Sequence, residues 1–243
     1  MASSFARRIT LLTAVADVMG ELGLSVPGSV AANTEKTVLQ FFRLTKKVGQ
    51  QLAMGDFKWQ ILNAEFTITT VIGTPNYALP TDFDGFISDS SWNRTTRLPV
   101  IGALKEHEWQ MLEARLLAGT TFTMLYIIEN DFVVFYNTPI AAQTIVMPYT
   151  SRGWCKSATG DRQDELRADA DVILFDPQLF KTGLRLAWYE AKQFDTTKFE
   201  KEYRRVLAAA KANDVPGRTL SLAGRSEYPY LGSINVPDTG YGA

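Results

Sequence analysis

The chain has 243 residues, 46% of them hydrophobic and 21% charged, with a formal net charge of -1; this composition excludes wholesale disorder and gives no global attraction to nucleic acid or membrane. One cysteine, Cys155, and one histidine, His107, exclude an internal disulfide and any metal site built on several histidines. No apolar run reaches the roughly 18 to 20 residues that span a bilayer, and the first residues lack the apolar core of a signal peptide, so use without export in a reducing compartment is expected.

In chain order, Phe5, Ile9, Leu12, Ala16 and Met19 are spaced four, three, four and three, which predicts a helix over residues 4–22, stopped by Gly23 and Pro27-Gly28. Asn33 is the expected N-cap of a second helix reaching about residue 54, with Val38, Phe41, Leu44, Val48 and Leu52 as its apolar stripe. The period then changes to two. "FTITTVIG", "FTMLYIIENDFVVFY" and "QTIVMPYTS" read as strands, with Glu129-Asn130-Asp131 as a hairpin turn and a short helix near residues 102–116 between them.

Two more helices follow. Asp176-Pro177 is an N-cap with proline at the first helical position, and Phe180, Leu184, Ala187, Ala191 and Phe194 keep core spacing. Thr197-x-x-Glu200 reads as a capping box for the last helix, with Phe199, Tyr203, Val206 and Ala210 facing inward. The expected fold is therefore α+β: a four-helix bundle made by both chain ends (1–62 and 177–216), an inserted small antiparallel β module (63–176) and an extended C-terminal strap (217–243). Charge follows the same division, with seven Lys/Arg against four Asp/Glu in residues 1–62, eight against fifteen in 63–176, and nine against five in 177–218.

Catalytic chemistry has few candidates. Asp82 and Asp84 in "LPTDFDGF", or Glu106 and Glu108 around His107, are the carboxylates that would serve as acid and base; a Pro-Thr-Asp turn accounts for Asp82 without any catalytic role and is the favoured reading of it. Cys155 has no histidine nearby in sequence and reads as a plain buried thiol. No phosphate-binding or nucleophile-elbow motif is present. Lys201, Arg204 and Arg205 alternate with Glu200 and Glu202, as on a solvated or subunit-facing helix, and Trp92, Trp109, Trp154 and Trp188 fall at apolar-period positions that suit a core or an interface.

Four segments in order, "YALPTDFDGFISDSSWN", "LPVIGALKEHEWQML", "DFVVFYNTPIAAQTIVMPYTSRGW" and "ADVILFDPQLFKTGLRLAWYEAKQF", resemble the head-to-tail adaptor (connector) proteins of short-tailed bacteriophages and prophages, over roughly residues 9–211. The resemblance implies a structural protein of the virion, assembled in the host cytoplasm and sitting at the head-tail junction without catalysis or cofactor. It implies a ring of about twelve copies under the portal protein, one that extends the DNA channel without specific DNA binding and offers a docking platform to a tail nozzle or tail tube protein. No membrane is involved. An acidic β module would then either border the channel, where negative walls keep DNA from sticking, or be an ordinary solvated surface.

The tail "EYPYLGSINVPDTGYGA" is rich in aromatics and poor in charge, unlike a disordered terminus. Tyr228, Tyr230, Leu231, Ile234, Val236 and Tyr241 are the residues expected to hold it to the portal or to a neighbouring subunit, with Pro229 and Pro237 lowering the entropy lost on docking; the alternative is a strap folded back on its own bundle. Two rival functions stay open at this point. One is a cell-wall-degrading tail enzyme using a carboxylate pair at Asp82 or Glu106, the other a glycan- or protein-binding β module on a helical stalk.

Overall fold

Thr10 sets where the helical part begins. In the computed structural model, which describes residues 8–114, 124–136 and 138–214, the Thr10 hydroxyl accepts from the Thr13 amide at 3.3 Å and caps the first helix. The described helices are α1 (Leu11–Glu21), α2 (Lys36–Ala53), α3 (Glu106–Ala114), α4 (Pro177–Ala191) and α5 (Thr197–Asp214). The strands are β1 (Ile9–Thr10), β2 (Asn63–Thr69), β3 (Asn76–Ala78), β4 (Phe83–Phe86), β5 (Trp92–Asn93) and β6 (Leu98–Pro99). They continue with β7 (Tyr126–Glu129), β8 (Phe132–Phe135), β9 (Thr144–Ser151), β10 (Cys155–Lys156), β11 (Arg162–Gln163) and β12 (Val172–Ile173).

The first helix therefore starts later than the sequence spacing predicts. Ile9 pairs with Ile173 across β1 and β12 and does not extend the helical stripe, and Phe5 lies outside the described residues. Asn33 turns the chain ahead of α2 by accepting from the Glu35 amide at 2.8 Å, and Glu35 takes the cap position itself. At α4 the expected cap is present: the Asp176 carboxylate accepts from the amides of Gln178 and Leu179 at 2.9 and 3.0 Å, and Pro177 follows it. Ala191 and Phe194 are exposed because α4 ends at Ala191; Trp188 fills the core position and stacks on Phe41 at 4.2 Å. At α5 the capping groups precede Thr197. Asp195 accepts from the Thr197 amide and hydroxyl at 3.0 and 2.7 Å, and the Thr196 hydroxyl donates to Glu200 at 2.8 Å.

Helix α4 is the hub of the helical layer, packing on α1, α2 and α5. Close approach is bought by glycine: at Gly183 an added Cβ would lie 3.1 Å from Val48 and 3.2 Å from Tyr203. Helix α5 has α4 as its principal neighbour, and none of its side chains is fully buried.

The strands form three antiparallel sheets. In the largest, β2 pairs along its whole length with β9, from Asn63↔Thr150 to Thr69↔Thr144, while β5 and β4 share the other edge of β9 and β6 extends β5. A second sheet has the order β3-β8-β7, closed at the expected hairpin turn by Asn130 and Asp131, both at positive φ as a tight two-residue hairpin turn needs. The third has the order β1-β12-β10-β11. Arg162 ties it to the start of β2 by donating to the carbonyls of Leu62 and Asn63, each at 2.9 Å.

These sheets overturn the expected architecture. Among the described residues the chain has five helices and twelve strands in three antiparallel sheets, an α+β fold with substantial sheet in place of a four-helix bundle with a small β module. Strands of two residues are too short for alternation to show in sequence. Moreover, Trp154, Cys155, Leu166 and Ile173–Phe175 join the same hydrophobic cluster as α1, α2 and α4. A second cluster, built on Ile68, Tyr126, Val133, Phe135, Ile145 and Met147, lies among the strands of the other two sheets.

Candidate functional site

Asp82 and Asp84, the first carboxylates that a hydrolytic site would use, are engaged in holding the fold. Asp82 accepts from the Tyr149 hydroxyl at 2.9 Å and the Ser151 hydroxyl at 2.5 Å, while its carbonyl accepts from the Arg152 amide at 2.7 Å. This anchors the Leu-Pro-Thr-Asp turn to β9. Burial, reinforced by the hydrogen bond to Asp82 and its charge, pushes the Tyr149 phenol up to about 12. Asp84 instead pairs with Lys58 at 3.0 Å on the surface. The two aspartates thus serve separate partners and do not converge on a reacting centre.

Around His107 the arrangement is that of a helix start. Glu108 accepts from the Lys105 amide at 2.9 Å, Glu106 and His107 are exposed, and Trp109 is buried edge-on against Tyr136 at 5.6 Å. Cys155 is fully buried, and its thiol faces the Gln163 carbonyl at 3.2 Å; burial first, then the charges of Asp171 and Asp164, push the thiol up to about 12. Among the described residues no three His, Cys, Asp or Glu side chains are grouped to hold a metal ion, and no helix is long and apolar enough to cross a membrane.

Sequence reasoning missed the role of "RADAD" (167–171). Asp169 accepts from the Ser29 hydroxyl at 2.6 Å and from the amides of Val30 and Ala31 at 2.9 and 2.8 Å, fixing the loop between α1 and α2. Burial opposes its charge, but these donors outweigh it and hold the carboxyl below the usual range. Asp171, almost wholly buried, accepts from the amides of Arg167 and Ala168, and its carbonyl receives the Leu11 amide at the start of α1. The available signal was two aspartates separated by one small residue, a pattern suited to turns that bond their own backbone.

What is left exposed is more informative than what is buried. Glu65, Asp164 and Glu165 of the acidic middle segment pair with Arg94, Arg167 and Lys46, and Asp82, Asp84, Asp169, Asp171 and Asp176 are engaged as described. Five acids of that segment, Asp89, Glu106, Glu113, Glu129 and Asp131, have no ion pair or side-chain hydrogen bond among the described residues. On α5, Lys198, Lys201 and Arg205 are likewise exposed without ion partners among the described residues, whereas Arg204 reaches Glu200 at 3.5 Å.

Exposed apolar groups gather in two places. Val71, Ile72 and Ile140 stand 58%, 68% and 86% exposed at the end of the β2–β9 ladder remote from the Asn63↔Thr150 pair, where Gly73 donates to the Pro139 carbonyl. The sequence signal was the apolar pair ahead of Gly73. An open cleft of about 290 Å³ lies where α1 and α4 end, lined by Leu22, Leu24, Trp188, Tyr189, Lys192 and Phe194. Trp92, expected in a core or interface, is 40% exposed on β5. The strap residues Tyr228, Tyr230, Leu231, Ile234, Val236 and Tyr241 lie outside the described residues.

Comparison with protein families gives a match to the SU10 adaptor protein family over residues 9–224, a span that contains every described strand and helix. No curated protein matches the chain.

Proposed function

Because the chain belongs to the SU10 adaptor protein family, a family of phage structural adaptors rather than enzymes, we propose that copies of it form a ring at the head-tail junction of a virion, under the portal protein. The ring extends the DNA channel and presents a platform to the next tail component, a nozzle or tube protein. The single observation that carries this reading is the family match across both hydrophobic cores. Two features support it. The candidate catalytic pair Asp82 and Asp84 is bound to its own chain, and the exposed apolar side chains at the β2–β9 tip are of the kind that assembly covers.

The strap is assigned to assembly in the same reading. Tyr228, Tyr230, Leu231, Ile234, Val236 and Tyr241 follow residue 224, where the family match ends, and they dock on the portal or on a neighbouring copy, with the prolines limiting the entropy lost. DNA passes through the ring without specific readout, as a near-neutral chain allows.

The test is co-sedimentation of the purified chain with its cognate portal ring, full length against a truncation after Pro216. Full-length protein moving with the portal supports the adaptor reading, and loss of association on truncation makes the strap the clamp. If both versions move with the portal, the strap serves another contact. If neither does, the reading is wrong and the carboxylates become candidates for hydrolysis again.

A further inference from the structure

Helix α5 is the least enclosed long element of the described fold. Eighteen residues run from Thr197 to Asp214 without one buried side chain, and the half-buried Tyr203, Val206, Leu207 and Ala210 pack inward on the helical core. The outward face divides along its length. Lys198, Lys201 and Arg205 are exposed in the first half, and Ala208, Ala209 and Ala212 are exposed in the second. The spacing three, four, three, four from Lys198 through Lys201, Arg205 and Ala208 to Ala212 places them on one stripe. A basic patch beside a smooth, small-residue surface is a shape that another helix can approach closely.

Helix α3 has the complementary surface. Only Trp109 is buried among its nine residues; Glu106 and Glu113, seven apart, lie on one border of its exposed face, and Met111, 47% exposed, lies on the other. Ile101, 51% exposed, precedes the helix. Glu106 and Glu113 have no ion partner among the described residues, whereas Glu108 between them accepts from the Lys105 amide. The surplus negative charge of the middle of the chain is therefore concentrated in a few places, and α3 is one of them.

We propose that the outward face of α5 in one copy docks on the exposed face of α3 in the next copy of this chain. Lys201 and Arg205 then meet Glu106 and Glu113, and the alanines cover Met111 and Ile101. The occupant is a second copy because the charges are complementary within one chain and lie on different elements, which gives a head-to-tail contact of the kind that closes into a ring. The contact sets an apolar part beside a charged part, and the opposite charges fix register and speed encounter. The proposal rests on the adaptor reading and adds to it the surfaces by which the ring holds together.

The test is a charge swap in the full-length chain, read as ring formation by sedimentation velocity and negative-stain imaging with the cognate portal present. One variant carries Lys201→Glu with Arg205→Glu, and a second carries Glu106→Lys with Glu113→Lys. Each alone is expected to weaken ring assembly by roughly tenfold or more. An equimolar mixture of the two is expected to regain it, since alternating copies restore opposite charge at every junction; a folding defect would gain nothing from mixing. Arg43→Glu with Lys47→Glu on the exposed side of α2 makes the same charge change and is expected to leave assembly intact. Rings indifferent to the α5 or α3 reversals, failure of the mixture to recover, or an equal loss from the α2 reversal overturns the contact. Loss of binding to a labelled DNA duplex by the α5 reversal, with rings retained, also overturns it and makes the basic face a DNA surface. A wild type that forms no ring even with portal overturns the adaptor reading and this contact together, whereas a wild-type ring indifferent to the reversals overturns this contact alone.

Discussion

The six-membered ring of Trp154 packs directly against Gly49. A Cβ placed on Gly49 would sit 2.2 Å from the indole Cη2 and 2.4 Å from its neighbours, so the helix has no side chain there because the ring occupies that space. The indole is fully buried and stacks on Phe180 at 6.2 Å. In this way a residue between β9 and β10 becomes part of the helical core, and the helical layer is joined to the sheets by packing.

Gly49→Ala is therefore expected to destabilise the protein by about 1–3 kcal/mol, the usual cost of overfilling a packed core. Thermal unfolding measures this as a fall of several degrees in Tm. The tryptophan fluorescence of the folded variant should shift as well, because the indole must leave its place. Unchanged stability and emission would mean that Trp154 does not rest on Gly49.

The Asp169 clamp predicts an acid sensitivity. Its folded-state pKa is lowered by the Ser29, Val30 and Ala31 donors, so its contribution is complete above the unfolded value of about 3.9 and is lost as pH falls through the lower folded value. Asp169→Ala should cost about 1 kcal/mol at neutral pH, the low end for orphaned donors at a half-exposed site. The difference from wild type should shrink as pH drops below that window. Urea midpoints at neutral and acid pH measure both effects.

Tyr149 gives the opposite sign at high pH. Its folded pKa is raised to about 12, so the neutral phenol's contribution is present below the unfolded value of about 10 and declines as pH rises toward 12. Asp82→Asn removes the charge behind part of this shift and should move one phenol transition down in an alkaline absorbance titration. Tyr149→Phe identifies that transition by deleting it, because Tyr126 and Tyr203 are also raised by burial.

Cys155 should be inert in the folded protein. With its thiol buried and pushed up to about 12, the native chain is expected to resist a thiol-reactive dye at pH 7 to 9 and to react fully once unfolded. Rapid labelling of the native protein would place Cys155 at the surface.

Several elements were legible in the sequence because local chemistry fixed them. Asp176-Pro177 is a cap and first turn that few other conformations satisfy, the Asn130-Asp131 turn accepts positive φ, and the α2 stripe from Val38 to Leu52 is long enough for its period to be read. The bundle expectation failed where structure depends on distant partners. Ile9 reads as the end of a helical stripe until Ile173 pairs with it. Trp154 and Ile173–Phe175 read as part of a separate β module until they enter the helical core. The candidate carboxylates were visible, but Asp82 acquires its role only when Tyr149 and Ser151 meet it across β9. No local pattern records such a meeting.

The most direct measurement is negative-stain imaging of the cognate portal ring, alone and mixed with the full-length chain. A second ring, coaxial with the portal and present only in the mixture, is expected. Portal particles unchanged by a molar excess of the chain would contradict the adaptor assignment.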